Sequence, residues 1–192
     1  MKSKKRILLI DNYDSFVYNI THAIEKMGYE VDVVRNDKIT IDEVGKYDKI
    51  LLSPGPGIPT EAGIMCDVIR RYGAEKSIFG ICLGEQAIGE VYGATLTNLS
   101  NVFHGVATKM EVIAEDPIFE GVEESFEAGR YHSWCVSSEG LPEEIIVTAV
   151  DGVEGRIMAI RHRDYDVRGV QFHPESVMTA EGDKIISNWL KM

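Results

Sequence analysis

The chain passes from a predicted strand to a predicted helix at Phe79-Gly80-Ile81-Cys82-Leu83-Gly84-Glu85-Gln86. Residues 77–81 form a short apolar run typical of a buried strand, and residues 84–92 have a helical pattern that Gly93 ends. A cysteine at such a corner, with glycine two positions away on each side, has the spacing of a nucleophile elbow. The helix N-terminus would stabilise a thiolate and offer N–H groups to an oxyanion. This context favours Cys82 as a nucleophile over the buried packing role that is commonest for a free cysteine.

Strands and helices alternate on both sides of this corner. Before it, the pattern predicts strands over residues 6–10, 30–35 and 49–53, and helices over residues 16–27 and 61–72. After it, strands are predicted over residues 109–114, 144–150, 156–161 and 169–172, with a final helix over residues 181–191. Such alternation implies parallel strands joined by right-handed crossovers. With no repeat, linker or low-complexity segment, we expect a single α/β domain over residues 1–192.

Composition and charge exclude several classes of function. Apolar residues make up 44% of the 192 residues, as in a globular domain, and no run of about 18 apolar residues is present to span a membrane. The net charge of −11 argues against binding to nucleic acid or to an anionic membrane. The basic residues 1–6 are followed by only four apolar residues before Asp11, too few for a signal peptide, so we expect a cytoplasmic protein.

Among the cysteines and histidines, few are candidates for a catalytic role beside Cys82. Three widely spaced cysteines argue against a disulfide framework and against zinc sites; Cys66 is interpreted as helix packing, and Cys135 is left undetermined. His22 is predicted to be a surface or packing residue, and His162 to lie in a solvated turn. His173 is different, because it follows a strand whose carboxyl end is where catalytic residues gather in parallel sheets. Glu175, two residues later, can reach back to orient the ring as the third member of a triad.

A rigid loop follows the third strand. In Ser53-Pro54-Gly55-Pro56-Gly57 the prolines and glycines give an exposed backbone without bulky side chains. Such a loop can present N–H groups to a substrate or an oxyanion. It lacks the Lys-Ser/Thr ending of a phosphate-binding P-loop and the spacing of a dinucleotide site.

Taken together, these motifs resemble the class I, triad-type glutamine amidotransferases. The resemblance rests on Ser53-Pro54-Gly55-Pro56-Gly57, on Gly80-Ile81-Cys82-Leu83-Gly84-Glu85-Gln86 and on Gln171-Phe172-His173-Pro174-Glu175, in this order. Two more segments, residues 11–19 and Arg130-Tyr131-His132-Ser133, are similar to the glutaminase subunits of anthranilate synthase and aminodeoxychorismate synthase. The family implies a flavodoxin-like, doubly wound, mostly parallel sheet with helices on both faces, plus smaller antiparallel strands in the second half.

The resemblance also implies a role for each site residue. Cys82 would attack the carboxamide of L-glutamine, His173 would act as base and then as acid, and Glu175 would orient His173. The backbone N–H groups of Gly55 and Leu83 would form the oxyanion hole. The substrate-binding set implied by the family is Gly55, Pro56, Gly57, Leu83, Gln86, Ser133 and Trp134. The ammonia would pass to a separate chorismate-binding synthase subunit in a hetero-oligomer. This chain would carry no cofactor or metal, with Mg²⁺ expected on that partner.

Three residues depart from the family pattern, and three alternatives stay open. Glu85 stands where His or Met is common, Trp134 where Leu is usual, and Val106 where the chorismate branch usually has Lys; none of these positions is catalytic. The helix should direct Glu85 away from Cys82. The same chemistry could serve aminodeoxychorismate instead of anthranilate. It could also serve another amidotransferase of the family, such as GMP, carbamoyl-phosphate or cytidine triphosphate synthetase. A related thiol hydrolase is a third reading, and a non-catalytic binding module is disfavoured by the complete triad.

Overall fold

A central nine-stranded sheet organises the computed structural model, which describes residues 5–192; the basic residues 1–4 lie outside the described part. The strands are β1 (Ile7–Asp11), β2 (Val31–Arg35), β3 (Lys49–Leu52), β4 (Ser77–Ile81), β5 (Leu96–Asn98), β6 (Val106–Val112), β7 (Ser125–Arg130), β8 (Trp134–Val136), β9 (Ile145–Asp151), β10 (Ile157–His162) and β11 (Val167–Val170). The helices are α1 (Val17–Lys26), α2 (Ile41–Val44), α3 (Met65–Tyr72), α4 (Leu83–Val91) and α5 (Gly182–Lys191).

One half of the sheet is parallel. Its strand order is β2-β1-β3-β4-β11, which is the flavodoxin-like order with β11 as the fifth strand. Alternate side chains of these strands face opposite sides of the sheet, and both sides are covered, so the central strands are apolar almost throughout. Ile7 and Leu9 pack in one core with α1 and α5, whereas Leu8 and Ile10 pack in another with α2, α3 and α4. Helices therefore cover both faces, and the predicted doubly wound α/β fold is confirmed.

The antiparallel strands of the second half extend this same sheet. From β11 the order continues β10-β9-β6-β7, with each of these pairs antiparallel. A second sheet contains β5 and β8, which pair antiparallel and place Asn98 opposite Trp134. Because β11 pairs with β4 on one side and β10 on the other, it joins the two halves of the large sheet.

Several predicted elements were wrong or missing. The helix expected from residue 61 begins at Met65, since a 3₁₀ turn, Pro59–Glu61, precedes it. The strand expected over residues 109–114 is β6, Val106–Val112, and α2, β5, β7 and β8 were not predicted. The prediction for His162 was also wrong: it ends β10, is 5% exposed, and stacks on Tyr165 while its Nδ1 accepts the Asp164 and Tyr165 N–H groups.

Candidate active site

Cys82 lies at a strained corner between β4 and α4. Its backbone has φ 55° and ψ −102°, a positive-φ conformation that costs a non-glycine residue energy and is found where the surrounding structure imposes it. The flanking glycines make that corner possible. A Cβ on Gly80 would lie 2.4 Å from the Gly84 carbonyl carbon, and one on Gly84 would lie 2.5 Å from the Leu52 carbonyl oxygen. The Cys82 N–H donates to the Val170 carbonyl at 2.8 Å, which ties the corner to β11.

Cys82 is only 6% exposed, and its sulfur has polar neighbours. The Gln171 side-chain Nε2 lies 3.4 Å from Sγ and donates to it, and the Tyr131 carbonyl oxygen lies 3.9 Å from Sγ. Cys66 and Cys135 are also free and buried, but neither lies at a strand-to-helix corner. Cys66 packs from α3 into the hydrophobic core, and Cys135 lies within β8. A donor aimed at the sulfur is the arrangement that a thiolate requires.

His173 and Glu175 form a buried pair beside this corner. The His173 Nδ1 lies 2.6 Å from the Glu175 Oε1, so Nδ1 carries the hydrogen of that bond and Nε2 is left facing away from the carboxylate. Among the described residues Nε2 has no hydrogen-bond partner. Burial opposes a charge on His173, but Cys82 and Glu175 stabilise the imidazolium and raise the pKa of His173 to about 10. The pair is therefore arranged to hold a proton next to the sulfur.

Aromatic rings and backbone bonds fix the position of His173. The rings of Phe16 and Tyr131 lie with centroids 5.0 and 4.8 Å from that of His173, which excludes water from the imidazole. The His173 N–H donates to the Gly129 carbonyl at 3.0 Å, and the Thr179 hydroxyl donates to the His173 carbonyl at 2.7 Å. Both ring and backbone are thus held without help from the thiol.

The Gly-Pro loop is held against the end of β1. The Asn12 side-chain Nδ2 donates to the Ser53 carbonyl and the Asn12 N–H to the Ser53 hydroxyl, each at 2.8 Å. Gly55 packs so closely on Asn12 that a Cβ would lie 2.6 Å from the Asn12 carbonyl oxygen. Leu83 is the first residue of α4, so its N–H has no partner within the helix. Asn12 was noted in a motif, but its role in holding this loop was not predicted.

The predicted substrate-binding residues line one cavity. Its volume is about 180 Å³, below the range of drug-sized pockets and suited to a small metabolite. It is lined by Gly55, Pro56, Gly57, Cys82, Leu83, Gln86, Tyr131, His132, Ser133 and Trp134. A larger groove of about 630 Å³ runs along residues 112–124, but it contains neither cysteine nor histidine, so size alone does not locate the reactive site.

Gln86 connects the cavity wall to the residues behind the sulfur. Its Nε2 donates to the Trp134 carbonyl at 2.9 Å and to the Gln171 Oε1 at 3.0 Å. The Trp134 carbonyl also receives a hydrogen bond of 2.8 Å from the His132 Nδ1. Both lone pairs of that carbonyl are therefore used inside the protein. Trp134 is in the substrate-binding set that the resemblance implies, but its carbonyl is not free to bind substrate.

Sequence reasoning gave no role to Gln171 or to the pair of Arg130 and His132. Gln171 was named only as part of the motif around His173, and no contact of its side chain was predicted. Arg130 is 2% exposed, lies with its guanidinium carbon 3.5 Å from the Phe103 ring centroid, and donates from Nε to the His132 Nε2 at 3.0 Å. A buried arginine beside a histidine has no periodic signal, so only the fold reveals this contact.

Within residues 5–192, no group of three His, Cys, Asp or Glu side chains is placed to hold a metal ion. No helix in the same range is long and apolar enough to cross a membrane.

Comparison with known proteins extends the likeness over the whole chain. The family model described as "Glutamine amidotransferase class-I" matches residues 8–192. The "Aminodeoxychorismate/anthranilate synthase component 2" of Bacillus subtilis is 44% identical over 187 residues, which cover 96% of this chain and 95% of that protein. The "Bifunctional protein TrpGD" of Thermotoga maritima is also 44% identical, but the chain spans only 32% of its length. The crystal structure of a glutamine amidotransferase from Thermotoga maritima shares the fold, with a TM-score of 0.72 at 16% identity over 98% of this chain and 82% of that one.

Proposed function

This chain belongs to the class I glutamine amidotransferases, and we propose that it is the glutaminase subunit that supplies ammonia to a chorismate-aminating synthase for anthranilate formation. The observation that carries the proposal is the buried His173–Glu175 pair, whose positive charge Cys82 stabilises, with Cys82 lining a cavity that all seven predicted substrate-binding residues also line. The likeness to a component 2 of nearly the same length supports the choice of partner, a component I synthase subunit.

The first half of the reaction forms a thioester. The Cys82 thiolate attacks the carboxamide carbon of glutamine, and the C=O electrons move onto oxygen. The N–H groups of Gly55 and Leu83 bind this oxyanion, since one lies on the loop held by Asn12 and the other opens α4. The carbonyl then re-forms, the C–N bond breaks, and the departing nitrogen takes the proton that His173 carries.

The second half returns the free enzyme. His173, now neutral, takes a proton from a water molecule as the water oxygen attacks the thioester carbon. Collapse of the tetrahedral intermediate breaks the C–S bond and releases glutamate, which leaves Cys82 as the thiolate beside a protonated His173. Glu175 keeps the ring in one orientation and stabilises its charge through the 2.6 Å bond to Nδ1.

Glutamine recognition falls to the opposite cavity wall. Since both Gln86 Nε2 hydrogens are used by Trp134 and Gln171, the Gln86 carbonyl oxygen is the part of that amide left for substrate. We assign it to an N–H donor of glutamine, together with the Ser133 and Trp134 backbone outside the occupied Trp134 carbonyl. Gly55, Pro56 and Gly57 supply the facing wall.

The experiment that tests the proposal uses two cysteine variants with a purified chorismate-binding synthase subunit. Cys82→Ala should abolish anthranilate formation from glutamine while leaving formation from ammonium salts intact. Cys66→Ala is the matched control, because Cys66 is also free and buried but packs in α3, and it should retain both activities. Equal loss of both activities in Cys82→Ala, with the complex still formed, would falsify the assignment of Cys82.

Aminodeoxychorismate formation is the second candidate, favoured by the double name of the Bacillus subtilis relative. The same protein should then complement two synthase partners, and the product of each mixture identifies the pathway. A protein that supports only the aminodeoxychorismate partner would move the assignment from tryptophan to folate synthesis. For either pathway we propose a hetero-oligomer in the cytoplasm, without contact to nucleic acid or membrane, consistent with the net charge of −11.

A further inference from the structure

We propose that Gln171 is a catalytic residue that holds the Cys82 thiolate, and that its amide is aimed by a hydrogen-bond relay anchored at the Trp134 carbonyl. The relay runs from Trp134 O to Gln86, from Gln86 to Gln171, and from Gln171 to the Cys82 sulfur. The inference rests on the proposed function, because it takes Cys82 as the nucleophile. It adds a donor to the sulfur that is neither the His173 imidazole nor an oxyanion-hole N–H.

The direction of the relay follows from the chemistry of its anchor. A backbone carbonyl can only accept hydrogen bonds, so the group of Gln86 that faces Trp134 must be its NH₂. The same NH₂ lies 3.0 Å from the Gln171 side chain, which must therefore present its oxygen there. The Gln171 NH₂ is then left on the other side, 3.4 Å from the sulfur. One carbonyl thus fixes which end of each glutamine amide faces its neighbour.

A second arm strengthens the anchor. For the same reason the His132 Nδ1 must donate to the Trp134 carbonyl, so the neutral tautomer has its hydrogen on Nδ1 and its lone pair on Nε2. That lone pair accepts the hydrogen of Arg130 Nε at 3.0 Å. Burial and the Arg130 charge lower the pKa of His132 to about 4, so this tautomer persists through the neutral range.

Burial strengthens the hydrogen bond from Gln171 to the Cys82 sulfur. Gln171 is 0% and Gln86 3% exposed, so water does not compete for the amide that faces the sulfur. Hydrogen bonds to an ionised acceptor are stronger than those between neutral groups, particularly out of water. A donor in this position favours the thiolate over the thiol. It also restrains the sulfur at the cavity wall, where the carboxamide carbon must approach.

The test measures the reactivity of Cys82 without any synthase or glutamine. The full-length protein is treated with iodoacetamide between pH 5 and pH 10, and alkylation at each cysteine is followed by mass spectrometry. In Gln171→Met, which keeps the volume but removes the donor, Cys82 should react roughly tenfold more slowly on the rising, acidic limb of its pH profile. The pH profile should move upward by about one unit and reach the wild-type rate at high pH. A role in packing alone would not produce a shift that disappears at high pH.

Two further variants separate the parts of the relay. Gln171→Glu keeps the shape but replaces the donor by an acceptor, so it should slow alkylation at least as much as Gln171→Met. Gln86→Met leaves Gln171 in place but removes the hydrogen bond that orients its amide. The pH profile of Cys82 alkylation should then shift in the same direction by a smaller amount. Thr148→Val is the matched control, because Thr148 is 0% exposed in β9 and its hydroxyl has no partner among the described residues. In this variant the pH profile of Cys82 alkylation should match that of the wild type.

The outcomes distinguish the inference from the function on which it rests. Wild-type Cys82 that reacts no faster than Cys66 would overturn the nucleophile assignment. A reactive Cys82 whose profile is unchanged in both Gln171 variants would leave the nucleophile in place and overturn the role of Gln171. Should Gln171→Met fail to fold by circular dichroism, Gln171→Glu and Gln86→Met carry the same comparison.

Discussion

Replacing Glu85 by methionine should stabilise the protein at neutral pH, even though Glu85 lies only three residues from the nucleophile. Glu85 is 0% exposed in α4, and neither carboxyl oxygen has a hydrogen-bond partner among the described residues. Its side chain packs on β11, so closely that a Cβ on Gly169 would lie 2.7 Å from the Glu85 Cβ. Burial raises the pKa of Glu85 from 4.5 to about 8.

The sign and size of the effect follow from this shift. Above pH 4.5 the unfolded chain releases the Glu85 proton while the folded chain keeps it, so Glu85 lowers the free energy of unfolding progressively as pH rises towards about 8. Each pH unit in that window is worth about 1.4 kcal/mol, which gives a cost of about 3 kcal/mol at pH 7 but only about 1 kcal/mol at pH 5. Methionine has a similar length and no proton to lose, so Glu85→Met removes this cost.

Urea unfolding at pH 5 and pH 7 measures the difference. Packing changes caused by methionine are the same at both values and cancel, leaving an extra gain of about 2 to 3 kcal/mol at pH 7. Glu25→Met on the exposed face of α1 is the control and should change stability by less than about 0.5 kcal/mol at either pH. A gain that does not grow from pH 5 to pH 7 would show that Glu85 is ionised or solvated in the folded protein, contrary to its burial and raised pKa.

Two further predictions concern the elbow and the triad. Gly80→Ala should lower the unfolding free energy by at least about 3 kcal/mol, because its Cβ would overlap the Gly84 backbone. Gly140→Ala is the control, since no atom lies within 4 Å of its Cβ, and it should cost only the roughly 1–2 kcal/mol of its positive φ. Chemical denaturation of both variants measures the difference, and equal losses would contradict the role of Gly80. Glu175→Gln should lower kcat with glutamine about 10²–10⁴-fold. It should also move the alkaline limit of activity down by at least about one pH unit, because Glu175 helps to raise the pKa of His173; an unmoved limit in the pH–rate profile would contradict this.

The sequence carried most of the parallel half of the fold, because buried strands and crossover helices leave strong apolar runs. The elements it did not reveal are short or weakly apolar. α2 has only four residues, although its capping box of Thr40 and Glu43 was readable. β7 contains Ser125, Glu127 and Gly129, and becomes a strand because its backbone pairs with β6. Such pairing depends on a partner far away in sequence, which no local pattern encodes.

At the site, the candidate catalytic residues were easier to predict than the hydrogen bonds that hold them. The spacing around Cys82 and the motif at His173 were enough to nominate the triad. The roles of Gln171 and Asn12 could not be predicted, since each acts through a partner brought close by the sheet: Cys82 for the one and Ser53 for the other. His162 was misjudged because charged neighbours in sequence suggested solvent, while Tyr165 covers its ring in space.

The pairing of β4 with β11 has a consequence for how such a chain can change over time. Ninety residues separate Cys82 from His173, yet their strands are adjacent and in a fixed parallel register, Gly80 opposite Gly169 and Ile81 opposite Val170. The intervening loops can lengthen or shorten without moving the base relative to the nucleophile. One residue inserted inside either strand, however, would slide the base by about 3.3 Å and turn its side chain to the other face of the sheet. The lengths of the loops between these two strands are therefore free to change during evolution, whereas a single residue inserted into β4 or β11 would separate the base from the nucleophile.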